Sequence, residues 1–108
     1  MESEAVIKAL AALAQTSRLQ IFRALVVAGD TGMSPGELAE QLQVLPNTLS
    51  FHLKELMNAG LVTQERDGRR LIYRAGFVQM NAVMSYLTAN CCQGQSCELQ
   101  DVTQCTAC

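Results

Sequence analysis

Thiols carry the most distinctive chemistry in this chain, and all five lie in its last 18 positions: Cys91, Cys92, Cys97, Cys105 and Cys108. A disulfide framework crosslinks segments throughout a chain, so this placement excludes one and points to metal or redox chemistry. Cys91-Cys92-Gln93-Gly94-Gln95-Ser96-Cys97 falls where the last predicted helix runs out. Neighbouring helical residues point about 100° apart, which makes Cys91 and Cys92 alone an awkward chelate. Asn90 and Gly94 tolerate left-handed backbone at a helix end, so chain frayed there can turn Cys97 back towards the pair. Three thiolates then converge on one soft ion.

Trivalent arsenic or antimony suits such a set, because a lone pair fills the fourth direction of a trigonal pyramid. Zinc normally takes four ligands. A cysteine at a helix C-terminus feels the negative end of the dipole, and Glu98 and Asp101 lie close in sequence. Both disfavour thiolate, which argues against a hyper-reactive redox cysteine. Neutral arsenous acid exchanges its three hydroxyls for thiols and releases water, whereas a divalent metal must expel protons to bind. Cys105-Thr106-Ala107-Cys108 is a terminal pair of secondary standing. It can bind metal, cycle as a dithiol, or complete a four-sulfur zinc site with the upstream thiols. Cadmium, lead, zinc or thiol oxidation therefore remain open as alternatives, as does a thiol metallochaperone or reductase.

The elements that must position these thiols follow from periodicity. Val6, Ile7, Leu10, Leu13 and Ala14 predict a first helix of roughly Ser3 to Ala14. Leu19, Ile21, Phe22, Leu25 and Val26 predict a second, closed by Gly29 and the Asp30–Gly32 turn. Ser34-Pro35-Gly36-Glu37 reads as a capped helix start, with serine as cap, proline in the first turn and glutamate completing a capping box. That short third helix carries Leu38, Ala39 and Leu42. Pro46 opens a fourth, with Leu49, Leu53, Leu56 and Met57 on one face and Gly60 as its stop. The period then changes. Leu61 to Arg66 and Arg69 to Arg74 flank Asp67-Gly68, a pair favoured in two-residue hairpin turns. A last helix of about Phe77 to Asn90 presents Phe77, Met80, Val83, Met84 and Leu87.

This order predicts a mainly α protein with a β-hairpin wing: a winged helix-turn-helix over residues 1–90, followed by a Cys-rich tail over residues 91–108. The core stripe of the fourth helix leaves Asn47, Phe51, Glu55 and Asn58 pointing away, with Ser50, His52 and Lys54 along the margins. Such a helix enters a major groove, where Asn47, Thr48, Ser50, Phe51, His52 and Lys54 are expected to meet double-stranded DNA. Arg66, Arg69 and Arg70 on the hairpin are expected to reach phosphates or a minor groove. Net charge is −2, all of it from the tail, since residues 1–90 carry equal numbers of basic and acidic side chains. This balance argues against a generally basic nucleic-acid binder and says nothing against a local basic patch.

Hydrophobic residues are 49% of the chain and charged residues 17%, a folded composition. The longest apolar run, Ala9 to Ala14, is six residues, too short for a membrane span. The Met1-Glu-Ser-Glu start lacks the positive flank of a secretory signal, so a cytoplasmic protein is expected. One histidine, no nucleophile–base pair and no nucleotide loop predict that it is not an enzyme. The first and last helices are apolar over more than one face, through Ala5, Ala9, Ala12, Val78, Ala82 and Tyr86, and so have something besides their own core to cover.

Residues 8–76 resemble the ArsR/SmtB family of winged-helix metal-sensing repressors. The resemblance rests on Ala12-Leu13-Ala14, Ser17-Arg18-Leu19-Gln20-Ile21-Phe22, Glu37-Leu38-Ala39, and above all Leu49-Ser50-Phe51-His52-Leu53-Lys54-Glu55-Leu56. Ala59-Gly60-Leu61-Val62 and Arg66-Asp67-Gly68-Arg69 complete it. It implies a homodimer built on the first and last helices, which binds a two-fold operator and releases it when an inducer binds. It also implies that Ser50 and His52 face DNA. Val44 to Thr48 departs in length from the arsenical repressors of the family, so base specificity does not transfer. Family members that sense through the third helix carry a cysteine pair there, and Ser34 to Val44 has none. Those that bind zinc across the last helix use Asp, His and Glu, absent from Gly76 to Asn90. A last-helix thiol triad resembles the arsenic-responsive branch, which assigns the inducer, As(III) or Sb(III), to Cys91, Cys92 and Cys97. No further cofactor is required.

Overall fold

The computed structural model describes residues 1–89. Five helices and one hairpin follow in the order α1 (Ser3–Leu13), α2 (Thr16–Ala28), α3 (Pro35–Leu42), α4 (Pro46–Asn58), β1 (Val62–Asp67), β2 (Arg70–Ala75) and α5 (Phe77–Leu87). A single 3₁₀ turn, Gly29–Thr31, leaves α2. This is the winged helix-turn-helix that the periodicity predicts. The domain limits at residue 90 and the tail at 91–108, with all five cysteines, lie outside the described residues. The last helix, expected to run to about Asn90, closes earlier, at Leu87, where the Thr88 hydroxyl donates to the Met84 carbonyl at 2.8 Å.

One core joins the elements. Ile21, Phe22 and Leu25 of α2 and Leu49, Leu53 and Leu56 of α4 are buried with Leu38, Leu61 and Val83. Helix α1 turns a different face inward from the one its large residues suggest. Val6, Ala9 and Ala12 are buried, while Ile7 is 64% exposed and Leu10 is also exposed. Alanines on the inner face let α1 lie close to its neighbours, and the bulkier side chains are left outside. Helix α5 commits only Val83 fully to the core, with Val78 87% exposed and Phe77, Met84, Tyr86 and Leu87 also outward. The second apolar surface expected of α1 and α5 therefore exists, but Ala9 and Ala12 belong to the core side, and Ile7, Leu10 and Val78 carry the outer one.

The hairpin register pairs Val62 with Ala75 and Asp67 with Arg70. The turn is thus Gly68-Arg69, one residue later than the predicted Asp67-Gly68, and the strands shift accordingly. Gly68 takes φ +65° and Arg69 does not take a positive φ, so glycine stands first in the turn, as a type II′ hairpin requires. A third, minimal strand joins the wing. Met33 and Tyr73 exchange backbone hydrogen bonds of 2.9 and 2.8 Å across an antiparallel bridge, which the sequence did not lead us to expect.

That bridge depends on Gly32. At φ +66° and ψ −171° it occupies backbone open essentially to glycine alone. A Cβ there would stand 2.6 Å from Ile72 Cγ2 and 2.7 Å from the Tyr73 carbonyl oxygen. Gly29, at φ +63°, has the same backbone demand with open space around it. Gly29→Ala should therefore cost on the order of 1–3 kcal/mol from backbone strain alone. Gly32→Ala should cost more, because β2 must also give way. Urea denaturation of the two variants checks this, and equal losses would contradict it.

Candidate nucleic-acid interface

Local sequence fixes the start of α3. The Glu37 backbone N–H donates to Ser34 Oγ at 3.2 Å, and the Ser34 N–H donates to Glu37 Oε1 at 2.9 Å, closing the predicted capping box. Gln43 ends the helix in left-handed backbone, φ 55°, and the chain turns at once into α4. Pro46 occupies the first turn, and Val44 and Leu49 take the positions of a hydrophobic staple, with Leu49 buried and Val44 packed on the core.

On α4, Asn47, Thr48, Ser50, Phe51, Lys54 and Asn58 are exposed, as predicted for a face turned towards DNA. Two residues differ. Glu55 is half-buried rather than pointing away. His52, expected at the margin and facing DNA, is only 7% exposed and shares the buried stripe with Leu49, Leu53 and Leu56. The reason is spacing: position 52 lies three residues after Leu49 and four before Leu56, so the helix carries it inward whatever its polarity.

What meets His52 is Arg18, a residue with no role expected from sequence. Its Nε donates to the Ala12 carbonyl at 2.7 Å, and its Nη1 stands 3.5 Å from His52 Nδ1. The cation thus neutralises the carbonyl end of α1 while touching α4. Because a guanidinium only donates, this contact favours a ring whose Nδ1 carries no proton. Gln15 fixes the backbone at the same place, its side-chain oxygen accepting from the Arg18 N–H at 2.9 Å. Only the motif string around Ser17-Arg18-Leu19 marked this position.

The wing arginines divide into two kinds. Arg70 Nη2 donates to Glu37 Oε1 at 2.7 Å, and Arg74 Nη1 donates to Glu65 Oε1 at 2.8 Å while its Nε reaches the Asp30 carbonyl at 2.7 Å. The two ion pairs add little stability, roughly 0–1 kcal/mol each, and the Arg70–Glu37 and Arg74–Asp30 contacts tie the hairpin to α3 and to the turn after α2. Arg66 and Arg69 are exposed and, with Lys54, have no hydrogen-bond or ion-pair partner among the described residues. Of the three wing arginines expected at DNA, Arg66 and Arg69 are free to do so, and Arg70 is engaged with α3.

Burial and the neighbouring Arg18 cation hold the His52 pKa below the ordinary histidine value, with Glu55 opposing them. A lowered folded-state value means that the unfolded chain binds the proton more readily. The contribution of neutral His52 is complete above about pH 6.5 and is lost as pH falls through the lowered value. Glu37 is also lowered, chiefly by the Ser34 backbone N–H, but its window lies lower, near and below its ordinary 4.5. Urea midpoints should therefore drop between pH 7.5 and 5.5 for the native chain and stay flatter for His52→Gln. A drop of the same size in both proteins would show that another group is responsible.

Residues 13–65 match a helix-turn-helix domain family. The chain is 41% identical over 58 residues to the uncharacterized HTH-type transcriptional regulator YceK of Bacillus subtilis, covering 54% of this chain and 57% of that protein, under two thirds of its length. It is 35% identical over 74 residues to the arsenical resistance operon repressor of the same organism, covering 68% and 69%. Among solved structures, an ArsR-like transcriptional regulator from Rhodococcus sp. RHA1 superposes with a TM-score of 0.75 at 26% identity, covering 96% of this chain and 94% of that one. Reduced HlyU from Vibrio cholerae does so with a TM-score of 0.65 at 31% identity, covering 84% and 93%. Helix order, recognition-helix string and wing agree with these likenesses, and the chain belongs to the ArsR/SmtB family of winged-helix transcriptional regulators.

Proposed function

We propose that this chain is a repressor that binds operator DNA as a homodimer and releases it when trivalent arsenic or antimony binds the tail thiols. The observation that carries the DNA half is the polar outer face of α4 standing with two exposed wing arginines, Arg66 and Arg69, that have no partner among the described residues. Asn47, Thr48, Ser50, Phe51 and Lys54 are the groups offered to the major groove, with Arg66 and Arg69 offered to phosphates or a minor groove. Arg70 holds the wing to α3. His52 acts from beneath, through the seating of α4.

Self-association is supported by the outer faces of α1 and α5, where Ile7, Leu10, Val78, Tyr86 and Leu87 stand exposed. An apolar surface of this kind needs a cover, and a second copy provides one with the two-fold symmetry that a paired half-site demands. Electrostatics favour the same arrangement, since one copy offers only a modest basic patch.

The inducer reading rests on donor chemistry. Cys91, Cys92 and Cys97 supply three soft sulfurs soon after the helix that presents part of the proposed dimer face. A three-sulfur set matches a trivalent metalloid, and the arsenical resistance operon repressor of Bacillus subtilis is among the relatives. Closing a chelate beside the dimer face changes the separation of two recognition helices, and inducer that favours the weak-binding separation releases the operator. A second reading keeps the repressor and makes thiol oxidation its signal; similarity to reduced HlyU favours it.

A promoter-shift assay with arsenite, antimonite, cadmium, zinc and peroxide in parallel separates these readings. For Cys91→Ser, DNA binding should persist while release by arsenite is lost. Full release of that variant by arsenite would overturn the metalloid assignment, and release of the native chain by peroxide alone would establish oxidation instead. On the DNA side, Arg69→Ala should weaken binding and reduce the slope of log affinity against log salt by about 0.9 for each phosphate that the variant no longer neutralises. Arg70→Ala, which removes a charge already neutralised by Glu37, should change that slope less. An unaltered slope for Arg69→Ala would rule out pairing of the wing with phosphate.

A further inference from the structure

Phe51 is an aromatic residue that the core does not use. It stands 56% exposed in the second turn of α4, amid Asn47, Thr48, Ser50 and Lys54, all of them exposed and with side chains able to hydrogen-bond. The other exposed aromatic side chains, Phe77 and Tyr86, belong to α5, on the surface assigned above to a second copy. Phe51 has no such cover.

Its ring is nonetheless held. The centroid lies 5.6 Å from that of His52 with the planes tilted by 59°, within the range of a favourable aromatic pair. His52 is buried and contacts Arg18, so Phe51 leans on a fixed neighbour rather than sweeping through solvent. The ring takes no part in the buried core, but held against His52 it is preorganised for contact.

A helix in the major groove meets donors and acceptors on every base pair and one apolar group, the C5-methyl of thymine. Phosphates and the donors and acceptors on the edges of G·C pairs give a phenyl ring no apolar group to match. Asn47, Phe51, Lys54 and Asn58 recur at helical spacing along one stripe, so a helix laid in the groove through its polar residues brings the ring in with them.

We propose that Phe51 is a specificity-determining residue that reads one thymine per half-site through its 5-methyl group. The proposal rests on the DNA-binding reading above and adds the base chemistry that the helix selects. No hydrogen bond is involved, so the preference is for the methyl itself and not for the O4 acceptor beside it.

The test uses the full chain. Duplexes are selected from a random pool by the native protein, and in a selected site each thymine is replaced singly by deoxyuridine, which keeps pairing and O4 but lacks the methyl. At one thymine per half-site, binding by the native protein should weaken about fourfold, the value of burying one methyl-sized group. Phe51→Ala should bind thymine and uracil forms of that position equally, and Phe51→Leu, apolar but smaller, should keep part of the difference. Circular dichroism checks that both variants retain helix. Native protein without a uracil-sensitive position, or undiminished sensitivity in either variant, overturns the proposal. Failure to enrich any duplex would instead overturn the DNA-binding reading itself.

Discussion

Leu49, Leu53 and Leu56 recur along α4 at the spacing of one helical face, and their burial in the common core with Ile21, Phe22 and Leu25 fixes the rotation of that helix about its own axis. Fully burying a leucine is worth about 1.5–3 kcal/mol, and truncating one to alanine costs about 2–5 kcal/mol. The exposed ion pairs of the wing contribute a fraction of that. Rotation of the recognition helix is therefore a packing decision, and the identity of every outward residue follows from it. Asn47, Thr48, Ser50 and Phe51 face out because three leucines face in.

His52 shows how strict this constraint is. The same rotation that exposes Phe51 sinks a titratable ring, and the structure accommodates it by bringing Arg18 across from the start of α2. One guanidinium then touches both the last turn of α1 and the middle of α4. Helices presenting the outer apolar faces and the helix presenting the polar one are not independent bodies: α1 belongs to the first group and is joined to α4 through a hydrogen bond and a buried ring.

How far the sequence could be read depended on whether a feature is local. The capping box at Ser34 and Glu37 involves residues three apart, and it is found as expected. The hairpin turn falls one residue later than the expected Asp67-Gly68, because Gly68-Arg69 satisfies a two-residue turn as well and pairing across the strands chooses it. The inner face of α1 does not follow residue size, because close approach of the helices selects Val6, Ala9 and Ala12 over Ile7 and Leu10. Arg18–His52, Glu37–Arg70 and Met33–Tyr73 join positions more than thirty residues apart, and no local pattern announces such partners. For the candidate site, the exposed face of α4 was legible apart from His52 and Glu55.

The single bridge between Met33 and Tyr73 has a consequence for how copies of this chain can meet. It occupies part of the outer side of β2, so that among the described residues β1 is the open edge of the sheet. Open edges invite strand-to-strand addition and aggregation, a hazard that folded proteins commonly suppress with charge. Glu65, Arg66 and Asp67 stand in succession on that edge, all exposed, with Thr63 and Gln64 before them. A second copy approaching in strand register would have to desolvate this run of mixed charge. The wing is thereby protected from acting as a template, and the helical surfaces are left as the favoured route to self-association.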